Sequence, residues 1–183
     1  MIVSRKTALI LEARALAFEA HAGHNRLNKA QQPYVYHLEE VARLVELSGG
    51  DEYEIASAWL HDAVEDTSVT LQEVHRRFGK EVGDTVHGLT DPPHFSRLPS
   101  LERKTKQAQR VRSESGRVKR VKLSDQTSNA RCIARDPPVS WSRRGCFNYV
   151  QGARLIAIEC AGVSDYLDDL FKIAYIEALK TLA

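Results

Sequence analysis

Apolar residues recur every three or four positions along most of the chain, and this spacing is typical of amphipathic α-helices. The C-terminal segment shows it most clearly, because one face of its predicted helix carries Leu167, Leu170, Phe171, Ala174, Ala178 and Leu182. The chain has neither a β-hairpin signal nor a glycine-rich phosphate loop. The pattern therefore predicts an all-α bundle, folded as a single domain over residues 1–183.

Turn and capping residues divide this pattern into separate helices. Breaks are expected at Gly23–Gln32, Gly49-Gly50, Asp91-Pro92-Pro93 and Asp136-Pro137-Pro138. Ser4 is the predicted cap of the first helix, and Thr70-x-x-Glu73 has the spacing of a capping box. The helices expected from these signals span 4–21, 33–48, 51–64, 70–79, 81–89, 101–112, 117–134, 142–161 and 165–182.

Two aspartates occupy positions at which an amphipathic helix normally carries an apolar residue. Asp62 continues the apolar face of the predicted helix 51–64, and Asp125 continues that of helix 117–134. A carboxylate that points into the core is costly unless it is paired or coordinates a metal. An ion pair with Lys122 is the alternative for Asp125 alone. The two inward aspartates together favour a metal centre.

Two histidines complete a candidate ligand set. Two imidazoles and two carboxylates suit a borderline-hard divalent ion such as Mn²⁺, Fe²⁺ or Zn²⁺, with positions left open for water and substrate. A lone helical histidine is more often a core residue than a ligand, so this assignment depends on the neighbouring aspartates. The predicted ligands are His37, His61, Asp62 and Asp125.

Glu65 and Asp66 are predicted to lie where the helix that carries Asp62 ends. Carboxylates at that end would reach over the metal, where they can orient a bound water or accept its proton. The alternative is that Asp66 caps the next helix. The capping signal at Thr70 weakens that alternative, because the next helix already has a start.

Charge is distributed unevenly, although the net charge is only +2. Residues 37–91 contain 13 acids against 4 Lys and Arg, a balance of −9, whereas residues 97–122 contain 10 against 2 acids, a balance of +8. An acidic segment that holds a metal beside a basic one would suit a phosphate-rich substrate. A solvated helix face is the alternative for any single basic residue. A nucleic-acid reader usually has a larger basic excess, so no nucleic-acid partner is expected.

The termini and the cysteines indicate an ordinary reduced protein. The N-terminus lacks the apolar stretch of a signal peptide, and no segment approaches the roughly 20 apolar residues that span a bilayer. Cys132, Cys146 and Cys160 are odd in number and lack the spacing of a zinc knuckle or redox motif. We expect a cytoplasmic protein without a membrane partner, and leave its oligomeric state open.

Several short motifs follow one another in an order and spacing that are specific. They are His21-x-Gly23-His24-x-Arg26, Pro33-Tyr34-x-x-His37, Leu60-His61-Asp62-x-x-Glu65-Asp66-Thr67, Phe78-Gly79-x-x-Val82, Leu89-Thr90-Asp91, Leu101-Glu102-Arg103-Lys104 and Val121-Lys122-Leu123-Ser124-Asp125-x-x-x-Asn129. From about residue 8 to 180, the chain resembles the HD hydrolase domain of RelA/SpoT homologues. It is most similar to the small alarmone hydrolases, including the metazoan SpoT homologue, in which this domain stands alone.

The resemblance implies an HD-domain bundle with one Mn²⁺ on the four ligands and a Glu65–Asp66 pair that handles the attacking water. It further implies removal of the 3′-pyrophosphate from (p)ppGpp, which leaves GDP or GTP. Arg144 is a candidate to replace an arginine whose matching position here is Gly145. The other substrate-binding residues that the resemblance assigns are Arg26, Lys104, Asn129 and Tyr149.

The departures from the family pattern lie mainly at the nucleotide end. Leu38 stands for a proline, Ser124 for an alanine, Leu27 for a basic residue and Gly145 for the arginine. The adenosine alarmones (p)ppApp and the 2′-phosphate of NADPH therefore remain alternative substrates. A catalytically silent nucleotide sensor and a structural helical module are the alternatives outside enzymes. An intact Glu65–Asp66 pair disfavours the sensor, because a pure binder needs no water-activating carboxylates.

Overall fold

The computed structural model describes residues 5–183, so the predicted cap Ser4 lies outside the described residues. Within that range the chain forms α-helices, one 3₁₀ helix at Pro93–Arg97 and no β-strand, which confirms the all-α prediction. The α-helices are α1 (Arg5–Ala20), α2 (Val35–Leu47), α3 (Glu52–Leu60), α4 (Ala63–Asp66), α5 (Leu71–Leu89), α6 (Ser100–Val111), α7 (Gly116–Arg135), α8 (Arg143–Cys160) and α9 (Asp165–Leu182).

Helix α7 is the centre of the bundle, and α2, α3, α5, α8 and α9 pack against it. Its apolar residues Val121, Leu123 and Ala130 are fully buried, which explains why the period of this segment is so regular. Helix α1 covers α3, and α6 lies on α8. Any polar residue on the inner faces of α7 is therefore surrounded by other helices.

Of the two predicted capping signals, the one at Thr70 lies within the described residues, and Thr70 does cap α5. Thr70 accepts a hydrogen bond from the Glu73 amide, but Glu73 returns no bond and instead contacts Arg77 at 3.2 Å. The predicted capping box at α5 is therefore only half formed. A complete, reciprocal box occurs at α3, between Asp51 and Glu54. Gly79, at φ 85°, kinks α5 at the point where two separate helices were predicted.

The predicted helix 51–64 is interrupted at its functional end. Helix α3 stops at Leu60, and Asp62 adopts φ −101° and ψ −4° before α4 begins. Consecutive residues on a straight helix point about 100° apart. The turn allows His61 and Asp62, although adjacent, to direct their side chains towards the same point.

The uneven charge is partly balanced within the fold. Basic residues of α6 and α7 form ion pairs with acids of segment 37–91, at Arg117–Asp51 (2.7 Å), Arg120–Glu54 (2.9 Å) and Arg110–Asp91 (3.3 Å). These three arginines thus support helix packing and are not available to a substrate.

No helix among residues 5–183 has the length and apolar character needed to cross a bilayer. The three cysteines are free thiols; Cys146 and Cys160 are buried, and Cys132 is half-buried.

We expect Gly152→Ala to lower the melting temperature, because a Cβ at this position would overlap the Cβ of Lys104 where α8 meets α6. Forcing an extra methyl group into such a contact typically costs about 1–3 kcal/mol. Gly145→Ala on the same helix is the matched control, since its Cβ would meet only Ser142 Oγ at 3.4 Å. Equal melting temperatures for the two variants, measured by circular dichroism, would contradict this account of the α6–α8 contact.

Candidate metal centre

The structure brings the four predicted ligands together from three parts of the chain. His37 lies in the first turn of α2, His61 and Asp62 form the turn between α3 and α4, and Asp125 is in the middle of α7. The Nε2 atom of His61 is 3.0 Å from Asp62 Oδ2 and 3.9 Å from Asp125 Oδ1. The Nε2 atom of His37 is 3.7 Å and 3.5 Å from the same two oxygens.

These distances fit a single cation. Donors about 2.1 Å from a common ion are separated by roughly 3.0–3.4 Å in octahedral or tetrahedral geometry. The four imidazole–carboxylate separations span 3.0–3.9 Å. His37, His61 and Asp62 form a compact group with ligand atoms within 4.8 Å of one another, and Asp125 lies beside it, within 3.9 Å of both imidazoles. Both imidazoles are at most 5% exposed, so they are shielded from bulk solvent.

His61 presents a free ring nitrogen to the centre. Its Nδ1 is 2.8 Å from the carbonyl oxygen of Ala58, and a carbonyl only accepts, so Nδ1 carries a hydrogen. Its Nε2 is buried, and its 3.0 Å contact with Asp62 Oδ2 lacks the geometry of a hydrogen bond. Buried polar atoms are nearly always paired. The unpaired Nε2 therefore supports a ligand at this position.

The two carboxylates are held in place by further side chains. The hydroxyl of Tyr34 donates to Asp62 Oδ2 at 2.6 Å. On α7, Asp125 accepts hydrogen bonds from the side-chain amides of Gln126 and Asn129. Lys122 lies 3.5 Å from Asp125 Oδ2, so the predicted ion pair forms alongside the cluster and leaves Oδ1 facing the histidines.

Electrostatics at the cluster favour a cation. Burial alone raises the pKa of a carboxyl group, but His61 and Lys122 hold the pKa values of Asp62 and Asp125 below their usual range. Burial also disfavours charged His61, yet the two aspartates raise its pKa to about 9. Without a metal, a proton would stay on this imidazole. A divalent cation replaces that proton.

Glu65 and Asp66 lie at the exposed rim of the cluster, on α4. The backbone amide of Asp91 donates to Glu65 Oε1 at 2.6 Å, which fixes this carboxylate at the entrance. Partial enclosure raises the pKa of Glu65 to about 7 and that of Asp66 to about 6, and the charge of Asp62 adds to both shifts. Thr70, not Asp66, caps α5.

A largely apolar cavity of about 160 Å³ adjoins the metal cluster. Three predicted substrate-binding residues line it together with Trp141: they are Arg26, Asn129 and Tyr149. The rings of Trp141 and Tyr149 are 5.1 Å apart, and the guanidinium of Arg26 donates to Asn129 Oδ1 at 3.2 Å. Since Asn129 also contacts Asp125, a hydrogen-bonded path joins the cavity to the metal cluster.

Lys104 is close to the site but is almost completely enclosed, with 4% of its surface exposed. Its Nζ donates to Gln126 Oε1 at 2.7 Å and lies 4.2 Å from the centre of the Tyr149 ring. Burial lowers the pKa of Lys104 to about 7. Lys104 therefore supports Gln126, which in turn holds Asp125. A contact between Lys104 and substrate remains a prediction.

The structure does not bring Arg144 to the site. The side chain is exposed on α8, five residues before Tyr149. Five residues rotate a helix by about 500°, so the two side chains point about 140° apart. No arginine of α8 is among the residues that line the cavity.

Sequence reasoning missed the residues that support the ligands. Tyr34 was part of a recognised motif but received no role, and Gln126 adjoins a predicted ligand. Asn28 carried no signal at all: it lines the 160 Å³ cavity, is 4% exposed, and its Oδ1 has no hydrogen-bond partner in the described part of the chain. Glu40 and Ser128 gave no signal either, because they meet only in the folded chain.

Comparison with known proteins gives consistent results. Residues 13–144 match the HD domain. The chain is 35% identical over 168 residues to guanosine-3′,5′-bis(diphosphate) 3′-pyrophosphohydrolase MESH1 of Xenopus tropicalis, covering 91% of this chain and 92% of that protein. The human protein of the same name is 34% identical over 169 residues, covering 91% and 93%. A solved structure, described as a metazoan orthologue of SpoT that hydrolyses ppGpp and plays a role in starvation responses, superposes with a TM-score of 0.85, at 26% identity and with 96% and 97% coverage.

We expect the stability of Lys104→Met, relative to the wild type, to fall as the pH rises from about 6 to 9. The pKa of Lys104 is about 7 in the fold, against an ordinary value of 10.5. Below pH 7, Lys104 is charged in both the folded and the unfolded wild type. Above pH 7 it loses its proton in the fold but keeps it in the unfolded chain, so the stability of the wild type rises with pH. The relative change should be on the order of 2 kcal/mol.

Urea denaturation of the metal-free proteins at pH 6, 7.5 and 9 measures this change. Lys106→Met, on the same helix, is the control. A relative stability of Lys104→Met that did not vary with pH would contradict the burial of a titrating lysine.

Proposed function

The chain belongs to the HD-domain family, in the group that includes the metazoan SpoT homologues, and we propose that it removes the 3′-pyrophosphate from (p)ppGpp to give GDP or GTP. The observation that carries this proposal is the compact group of His37, His61 and Asp62, with Asp125 within 3.9 Å of both imidazoles. A rim of two further carboxylates and an aromatic-walled cavity lie directly beside it. This combination serves a metal-dependent hydrolase of a nucleotide.

We propose that His37, His61, Asp62 and Asp125 hold one Mn²⁺ per chain. Mixed imidazole and carboxylate donors suit Mn²⁺, and the same donors accept Fe²⁺ or Zn²⁺. A bound divalent cation lowers the pKa of a coordinated water and neutralises charge on phosphate oxygens. Tyr34 and Asn129 keep the two carboxylates oriented for that role through the hydrogen bonds described above.

Glu65 and Asp66 orient the attacking water and accept its proton in this mechanism. Glu65 is held by the Asp91 amide, so one carboxylate oxygen remains available at the rim. The geometry required of a general base is hydrogen-bond reach to the proton that it removes. The guanidinium of Arg26 faces the substrate side of the cluster, where it can balance charge that develops on the phosphates.

The cavity beyond Asn129 accommodates the nucleoside. Trp141 and Tyr149 offer aromatic faces, and Arg26 lies 5.8 Å above the Tyr34 ring, so stacking on flat side chains is available to a base. Placed there, the base extends away from the metal while the 3′-pyrophosphate lies over the rim carboxylates. This orientation matches cleavage at the 3′ position.

An adenosine alarmone is the second candidate substrate, because Leu27, which lines the cavity, departs from the family pattern. An asparagine amide can bond both N6 and N7 of adenine. The buried Oδ1 of Asn28 has no hydrogen-bond donor within the described part of the chain. Guanine N1–H offers a donor as well, so both bases satisfy Asn28. The 2′-phosphate of NADPH is a further alternative, because it presents a phosphate ester near a purine nucleoside.

We further propose that this enzyme acts in the cytoplasm on small phosphorylated nucleotides, without nucleic-acid or membrane partners. A catalytically silent sensor would bind metal and nucleotide without turnover. A structural module would bind neither. Measuring bound metal and nucleotide turnover on the same protein distinguishes both alternatives from the hydrolase.

We expect Asp62→Asn and Glu65→Gln to separate metal binding from chemistry. Asp62→Asn removes a charged ligand, so bound metal and turnover should fall together. Glu65→Gln keeps the shape and the bond from Asp91 but cannot accept a proton, so kcat should drop by roughly two or more decades with metal content unchanged. Metal analysis of the purified proteins and ppGpp turnover with added Mn²⁺ are the measurements. Full turnover by Glu65→Gln would remove it from the mechanism.

We expect ppGpp and pppGpp to be hydrolysed with release of pyrophosphate when compared with ppApp, pppApp and NADPH under the same conditions. A higher kcat/KM for the adenosine compounds would transfer the assignment to the second candidate. Phosphate release from NADPH alone would overturn the alarmone assignment while retaining the metal centre. Stoichiometric metal without any turnover would support the sensor.

A further inference from the structure

We propose that Ser128 and Glu40 are positioning residues of the metal centre. They hold the imidazole of His37 with Nε2 directed at the metal, and in this way increase the affinity of the protein for that metal. The inference rests on the metal centre proposed above and extends it to residues outside the ligand set.

A continuous chain of contacts leads away from the back of His37. Its Nδ1 lies 2.9 Å from the hydroxyl oxygen of Ser128. That hydroxyl donates to Glu40 Oε2 at 2.7 Å, and Arg131 donates to Glu40 Oε1 at 3.0 Å. All three distances are within the range of good hydrogen bonds.

The direction of the hydrogens follows from the end of the chain. Glu40 is ion-paired with Arg131, so its carboxylate only accepts. Ser128 has one hydroxyl hydrogen, which it donates to Glu40, and it therefore offers a lone pair to His37. Consequently Nδ1 of His37 carries the hydrogen, and Nε2 has the free lone pair that a metal requires.

The contacts cross the interface between the two helices that carry these ligands. Glu40 lies one turn after His37 on α2, and Ser128 lies one turn after Asp125 on α7. Ser128 is 2% exposed, so its hydroxyl is committed within the α2–α7 interface. The network thereby fixes the distance and orientation of His37 relative to Asp125.

The two histidine ligands depend on different supports. His61 bonds to the backbone of its own turn, a partner that no side-chain substitution removes. His37 depends on Ser128, which lies 91 residues away along the chain. Ser128 in turn depends on Glu40, from which it is 88 residues away. A defect confined to His37 is therefore accessible by mutation. Loss of such a supporting group typically weakens metal affinity about 10–100-fold.

Isothermal titration of the metal-free protein with MnCl₂ tests the proposal without a substrate. Ser128→Ala should raise the Kd for Mn²⁺ about 10-fold or more. Ser124→Ala is the matched control, because Ser124 is equally buried on α7 and its hydroxyl bonds only the carbonyl of Arg120 at 3.0 Å. A Kd for Ser128→Ala within about twofold of the control would overturn the proposal.

A second variant separates positioning from a general packing defect. Glu40→Gln keeps size and one accepting oxygen but removes the negative charge, and Glu40 is partly exposed, so folding should be preserved. We expect a smaller rise in the Kd than for Ser128→Ala, with unchanged melting temperature of the metal-free protein. Wild-type affinity in Glu40→Gln, or a loss of affinity that merely follows a lower melting temperature, would contradict the role of Glu40.

Nuclear magnetic resonance of ¹⁵N-histidine-labelled, Zn²⁺-loaded protein provides a direct signature. His37 should show a protected Nδ1–H proton that disappears in Ser128→Ala and persists in Ser124→Ala. Its presence in Ser128→Ala would refute the proposed contact. If only the proposed function is wrong, the protein will bind metal tightly and show the expected variant effects but will turn over no nucleotide. A wild type that binds no Mn²⁺ or Zn²⁺ would overturn both.

Discussion

The burial of two negative charges side by side in an apolar bundle is the constraint on which the site depends. Asp62 and Asp125 come from different helices, and each would destabilise the fold if left without partners. The neighbouring residues offset that cost in different ways. Lys122 supplies a positive charge, and Tyr34 and Asn129 donate hydrogen bonds. The two histidines offer lone pairs to a cation. The central position of α7 follows from the same need, since every other ligand must reach Asp125.

The two ends of the site are built on different kinds of structure. Helices and one tight turn hold the proposed metal ligands, whereas two loops form much of the proposed nucleotide cavity. Those loops are joined by the Val139 amide bonding to the Leu27 carbonyl at 2.9 Å, and by Asp136 accepting from the amides of Lys29 and Ala30. The departure at Leu27 falls in this loop-built cavity, whereas Gly145 lies in the first turn of α8 and does not line it. A change at Leu27 is therefore expected to alter the proposed nucleotide cavity without touching the four proposed ligands.

Much of the fold was predictable, because helical period and capping residues are local signals. The convergence of His37, His61, Asp62 and Asp125 also followed from inward aspartates and motif order. The turn at His61 was not predicted, since no glycine or proline marks it. The phase of Arg144 on α8 and the contact of Ser128 with Glu40 are properties of packed helices, and no local pattern of the sequence records them.

The positions of the ligands along the chain give the centre a second consequence, for folding. His61 and Asp62 are adjacent, so bringing them together requires almost no ordering of the chain. His37 and Asp125 lie on helices that are joined by a loop of about 90 residues, and closing a loop of this length has an entropic cost of a few kcal/mol. A metal shared by these ligands acts as a removable crosslink between the first half of the chain and α7. Because the four proposed ligands come together only in the folded chain, an ion bound by all of them would stabilise the fold by its binding free energy.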